Sequence, residues 1–120
     1  MDAYWLYGMG MEQYEKGNYS AAIQYFVQSN NVEEHFKSYE MLFRCWKGLG
    51  NSEKANSCIE KAYEMNPRND KTAFEYAEYQ AGAGNIELAR IVLEGLIERN
   101  PTYKKARELL ESLQRKHIDH

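Results

Sequence analysis

Gly50-Asn51-Ser52-Glu53-Lys54-Ala55 recurs 34 residues later as Gly84-Asn85-Ile86-Glu87-Leu88-Ala89, and Glu64-Met65-Asn66-Pro67 recurs at the same offset as Glu98-Arg99-Asn100-Pro101. An earlier copy, Gly17-Asn18-Tyr19-Ser20-Ala21-Ala22-Ile23-Gln24-Tyr25-Phe26, lies 33 residues before Gly50. Self-similarity at a period of about 20–50 residues is the signature of arrays in which one supersecondary unit stacks on the next. Each unit here holds two helical patterns joined by a short turn, and the glycine of that turn ends the first helix in the left-handed conformation that side chains avoid.

Working outward from the glycines, the first helix of each unit carries a buried stripe at i, i+3, i+4 and i+7. The stripe reads Leu6, Met9, Gly10 and Gln13, then Tyr39, Leu42, Phe43 and Trp46, then Ala73, Tyr76, Ala77 and Gln80. Gly10 and Ala77, facing Ala22 and Ala89, let the two helices of a hairpin approach closely, whereas Phe43 at the same position should widen or tilt its hairpin. The pattern predicts helices over 2–15, 20–30, 32–48, 53–65, 70–82, 87–99 and 103–116. Asp2, Ser20, Asp70 and Thr102 are the expected caps, and Asn31-x-x-Glu34 reads as a capping box that starts the third helix early. Pro67 and Pro101 stop the helices before them.

The period, with Ala22-x3-Phe26, Ala55-x3-Ile59 followed by Pro67, and Ala89-x3-Leu93 followed by Pro101, resembles the tetratricopeptide repeat (TPR) family. Repeat one departs from the family pattern, with Glu34 where proline is expected. The resemblance implies an all-α protein, an α-solenoid of three helix-turn-helix hairpins closed by a C-terminal solvating helix, about seven helices in all. One domain over 1–120 is expected, with repeats at 3–35, 36–69 and 70–103, a capping helix at 104–116 and a tail at 117–120. In the capping helix Ala106, Leu109, Leu110 and Leu113 share one face, which suits the last element of a stack.

Composition narrows the alternatives. A net charge of -3 disfavours a nucleic-acid partner or an anionic membrane, both of which call for a dominant basic face. No stretch approaches the roughly 18 apolar residues of a membrane span, and Met1-Asp2-Ala3 lacks the basic and apolar regions of a signal peptide, so a cytoplasmic location is expected. A chain of this size can bury roughly 65% of its unfolded surface, enough for a core without disulfide or metal. Cys45 and Cys58 are expected to be free thiols.

In the family, a concave groove lined by the first helix of each repeat usually holds a peptide. Positions 2, 5, 9 and 12 of those helices lie roughly 100° from the core stripe. They supply Tyr4, Tyr7, Met11 and Tyr14 from repeat one, Lys37, Glu40, Arg44 and Lys47 with Met41 at the edge from repeat two, and Lys71, Phe74, Glu78 and Ala81 with Glu75 beside them from repeat three. Tyrosine and methionine offer large, adaptable contact area, and the cations can meet acidic residues of a ligand. The two-carboxylate clamp by which some TPR domains grip the C-terminus of heat-shock proteins maps onto Tyr7, Met11, Met41, Lys71 and Glu75. The family uses Lys, Asn, Asn, Lys and Arg there, so only Lys71 matches, and Glu75 would repel a carboxylate.

The expected function is therefore an adaptor, scaffold or chaperone-like module whose groove takes a peptide segment with apolar anchors. The alternative is a homodimer formed through the groove or through the N-terminal face beside Trp5. The partner is expected to be a protein or peptide, with no cofactor and no metal. No enzyme activity is expected, because no glycine-rich phosphate loop, nucleophile elbow or metal-ligand spacing occurs. His117-x-x-His120 is a weak metal signal against the solvated tail expected there.

Overall fold

A computed structural model describes the backbone of residues 1–118 and the side chains of residues 1–115. Among the described residues there are seven helices and no strand: α1 (Ala3–Glu15), α2 (Tyr19–Val32), α3 (Phe36–Gly48), α4 (Ser52–Met65), α5 (Asp70–Gly82), α6 (Ile86–Arg99) and α7 (Lys104–Ile118). They pair as the hairpins α1–α2, α3–α4 and α5–α6, followed by α7. The chain divides into two compact units, Met1–Asn66 and Pro67–His120.

The three turn glycines occupy equivalent corners. Gly17, Gly50 and Gly84 have φ of 78°, 78° and 92°, a region that costs a residue with a side chain about 1–2 kcal/mol. The flanking bonds repeat as well. Gly17 N donates to Tyr14 O and Asn18 N to Gln13 O, each at 2.9 Å, and the same two bonds recur at Gly50 with Asn51 and at Gly84 with Asn85. This is the Schellman closure, which satisfies the last carbonyls of a helix and turns the chain into the next one.

In the first unit, Ala22, Ile23, Phe26, Met41, Leu42 and Cys45 form a buried cluster on which Tyr7, Met11, Tyr14, Tyr19, Tyr39, Trp46 and Cys58 pack. The cluster joins α1 and α2 to α3, so the first two hairpins share one core within this unit. Gly10 sits against the ring of Phe26, one turn along α2 from the expected Ala22. A Cβ at Gly10 would lie 2.7 Å from the Phe26 ring. Phe43 is buried, with 2% exposure, and α3 still packs on α4 around it.

In the second unit, Ala73, Ala77, Ala89, Val92, Leu93 and Leu96 are buried between α5 and α6, and α7 covers them with Ala106 and Leu113, both buried. Leu109 and Leu110, expected on the same face, are half-buried. The α7 backbone is helical through Ile118, two residues into the expected tail. None of the twelve residues of the expected first-helix stripes is exposed.

The caps fall partly elsewhere. Asp2 caps α1 as expected, its Oδ1 accepting from Trp5 N at 2.7 Å. Asn69, not Asp70, caps α5 by accepting from Thr72 N at 3.0 Å, which leaves Asp70 free to receive Asn100 Nδ2 at 3.1 Å. Asn18, not Ser20, holds the cap position of α2, and Thr102 Oγ1 pairs with Asn100 Oδ1 at 3.1 Å just ahead of α7.

The capping box at Asn31-x-x-Glu34 does not form. Helix α2 continues to Val32, and α3 begins only at Phe36. No proline interrupts the backbone ladder here, so helical bonds persist until Glu33 turns extended at φ -155° and ψ 116°, its N–H still bonded to Ser29 O. The cap of α3 is His35, whose Nδ1 accepts from Lys37 N at 3.1 Å, and Asn30 Oδ1 accepts from His35 N at 3.2 Å.

Candidate peptide-binding surface

The expected surface residues of the first unit come from α1 and α3. On α1, Tyr4 is open to solvent at 88% exposure. Tyr7, Met11 and Tyr14 are half-buried against the core cluster, with the Tyr7 ring centroid 5.5 Å from that of Phe26 and the Tyr14 ring 5.6 Å from that of Tyr19. A stripe that reads as one open face is thus partly consumed by packing, because Phe26 and Tyr19 of α2 reach its edge.

On α3, Glu40 and Arg44 form an ion pair of 2.9 Å whose side chains are only 12% and 22% exposed. Arg44 Nη1 also lies 3.7 Å from Met41 Sδ. The guanidinium is therefore neutralised within the protein and is not a free cation for a ligand. Met41 itself is 3% exposed and belongs to the core. Lys37 and Lys47 are the exposed cations of this helix, and Lys47 Nζ lies 5.6 Å from the centre of the Phe43 ring.

Tyr7 connects the two helices electrostatically. Burial pushes its pKa above the ordinary value, the Glu40 charge adds to the rise, and the Arg44 charge opposes it.

A cavity of about 340 Å³ opens at the start of this surface. Three of its lining residues, Tyr4, Tyr7 and Lys37, belong to the set expected from helical spacing. Ala3 from α1, Ser29 and Glu33 from the end of α2, and His35 and Ser38 around the start of α3 complete it. Ser29 and Ser38 are almost fully buried, and Ser29 Oγ donates to Ala3 O at 2.9 Å, tying the end of α2 to the start of α1. Helical spacing on the first helices alone does not reach these residues. Their only signal in the sequence is a serine at a core-facing helical position, where a hydroxyl needs a specific partner.

In the second unit, Lys71 and Glu78 are exposed and Phe74 is half-buried, its ring centroid 5.9 Å from that of Tyr103, the residue before α7. Phe74 is thus shared between the surface and the closing helix.

Other chemistry leaves few traces. Cys45 is buried and Cys58 half-buried, both as free thiols. Burial pushes each pKa up to about 11, with the Cys58 charge adding to the rise at Cys45, which leaves almost no thiolate at neutral pH. Among the described residues no group of three His, Cys, Asp or Glu side chains is placed to hold a metal ion, and no helix is long and apolar enough to cross a membrane. The side chain of His117, and His120, lie outside the described residues.

Residues 47–69 match the family model described as tetratricopeptide repeat. No curated protein matches the chain in sequence. Among solved structures, the first TPR of Spaghetti (RPAP3), bound to the HSP90 peptide SRMEEVD, superposes with a TM-score of 0.85 at 17% identity, covering 98% of this chain and 94% of that one. The Sgt2 TPR domain from Aspergillus fumigatus gives 0.79 at 20% identity, over 98% and 80%. The Yersinia enterocolitica type III secretion chaperone SycD, in complex with a peptide of the translocator YopD, gives 0.78 at 22% identity, over 93% and 92%. These likenesses establish the fold as the α-solenoid expected from the repeats.

Proposed function

Because the chain carries the tetratricopeptide repeat and takes the fold of TPR domains over nearly its whole length, we propose that it is a protein-interaction module whose first unit grips a peptide segment through the α1 and α3 surface. The observation that carries this reading is the juxtaposition of the open Tyr4 and half-buried Tyr7 on α1 with the exposed Lys37 on α3 around one cavity. Aromatic anchors beside a cation suit a peptide with apolar side chains and acidic neighbours. Structural relatives support the general role: the RPAP3 domain is bound to an HSP90 peptide and SycD to a translocator peptide.

The particular ligand of the RPAP3 domain does not transfer. Of the clamp positions, Tyr7 and Met11 are half-buried, Met41 is inside the core, and Glu75 carries the wrong charge. The carboxylate grip needs amide and cationic donors at those places. The surface suits an internal segment held by its side chains.

Tyr4 and Lys47 are both exposed, so a Tyr4→Ala plus Lys47→Ala variant tests the surface without disturbing the fold. Peptides selected on the native chain from a random dodecapeptide phage library should bind that variant about tenfold more weakly, at an unchanged melting temperature. Unchanged affinity removes the surface from consideration.

A second reading, self-association through the N-terminal face, draws on the exposure of Met1, Tyr4, Trp5 and Val32 at 86, 88, 46 and 56%. Contiguous apolar surface of this kind is what an interface between two copies would cover.

A further inference from the structure

The cavity of the first unit has an acidic and a basic edge. It lies where the C-terminal end of α2 meets the N-terminal end of α3, with Glu33 on the α2 side and Lys37 on the α3 side. Neither side chain has an ion-pair or hydrogen-bond partner among the described residues. The helix ends carry the same signs as the side chains beside them: a C-terminus is worth about half a negative charge and an N-terminus about half a positive one. The acidic and basic edges therefore reinforce their helix ends, with apolar wall from Tyr4 and Tyr7 as the third side. At about 340 Å³ the space is at the small end of ligand cavities, which run from about 300 to 1,000 Å³, and suits one or two side chains rather than a whole cofactor.

We infer that this cavity is the anchor subsite of a partner protein segment, taking one large apolar side chain, preferably aromatic, between a basic residue that faces Glu33 and an acidic residue that faces Lys37. The inference rests on the interaction role proposed above and adds to it a sequence signature and a direction. The aromatic side chain supplies affinity, because burial against Tyr4 and Tyr7 scales with apolar area. The charges supply order. An exposed pair changes affinity by no more than about fivefold, yet a reversed peptide meets two like-charge contacts at once, and specificity is the difference between those two cases.

The test uses the full chain and the random dodecapeptide library. Peptides enriched on the native protein should share an aromatic or large aliphatic residue with a base on one flank and an acid on the other. Synthesised with blocked ends, they should bind Glu33→Lys and Lys37→Glu about three- to tenfold more weakly than the native chain. The double variant Glu33→Lys plus Lys37→Glu should prefer the peptide with its two flanks exchanged, a gain that damage to the fold cannot imitate. Affinity indifferent to both single reversals, or a double variant that keeps the original order, overturns the inference. If binding in that case still falls in Lys47→Ala, a residue outside the cavity, the anchor subsite alone is wrong and the wider interaction surface stands. If the native chain enriches no peptide, both are wrong.

Discussion

Two glycines on α1, Gly8 and Gly10, sit two residues apart and do opposite things. A Cβ at Gly10 would lie 2.7 Å from the ring of Phe26, which is completely buried, whereas a Cβ at Gly8 would meet nothing within 4 Å. Alanine is favoured over glycine inside a helix by about 1 kcal/mol, so Gly8→Ala should stabilise the protein by about 0.5–1 kcal/mol. Gly10→Ala has the same helical gain but must push a packed aromatic ring, and overpacking costs about 1–3 kcal/mol, so a net loss of about 1 kcal/mol is expected. Urea unfolding of the two variants checks this, and a gain at both positions would show that α1 and α2 are not in close contact at Gly10. The need for a small residue at position 10 is legible in the sequence, since it falls on the stripe at i+4. Its partner is not legible: spacing within a helix defines a face, but the offset between two helices is set by how their side chains interdigitate. Ala22 and Phe26 are one turn apart on the same face, and packing brings the Phe26 ring against Gly10.

At the scale of elements, α5 has the expected bounds of 70–82, while the α2–α3 junction departs from expectation at both ends. The misreading turns on Glu34. Its carboxylate does not reach back to cap a helix; it accepts a hydrogen bond from the Tyr39 hydroxyl one turn into α3. This bond and the packing around Tyr39 have a consequence in alkali. Burial first, then the Glu34 hydrogen bond, then the charges of Glu34 and Cys58 push the Tyr39 pKa from 10.0 to about 12. A phenol whose pKa is raised on folding contributes stability that is complete below the unfolded value near 10 and is lost as pH rises toward 12. The thiols of Cys45 and Cys58, moved from 9.0 to about 11, act in the same sense from a lower starting pH. The urea midpoint of the native chain should therefore begin to fall near pH 9 and continue falling toward pH 12. Tyr39→Phe should show a shallower fall above pH 10, where only the tyrosine share is removed. Parallel curves for the two proteins would mean that Tyr39 titrates normally in the folded state.

The molecule as a whole leaves several large apolar residues exposed. In the first unit these include Met1, Tyr4, Trp5 and Val32, and in the second Ile86, Leu88 and Ile91 on α6. If the N-terminal face pairs two copies, sedimentation equilibrium should give a mass above the 14.1 kDa of one chain, rising with concentration, and Trp5→Glu should restore the single-chain mass. A native chain that remains at 14.1 kDa through the micromolar range removes the homodimer. What the sequence determined by itself is the repeat: its period, its three left-handed glycine corners and the helix faces that point inward. Such features are local, governed by backbone sterics and by 3.6-residue periodicity, and local rules act the same way in every copy. Tertiary structure alone decided which surface residues remain available. Arg44 is neutralised by Glu40, Met41 is drawn into the core, and Ser29, Glu33 and His35 are brought to Tyr4 from another helix and its junction. These outcomes depend on the registration of one helix against the next, where packing and pairing between residues distant in sequence settle exposure and charge.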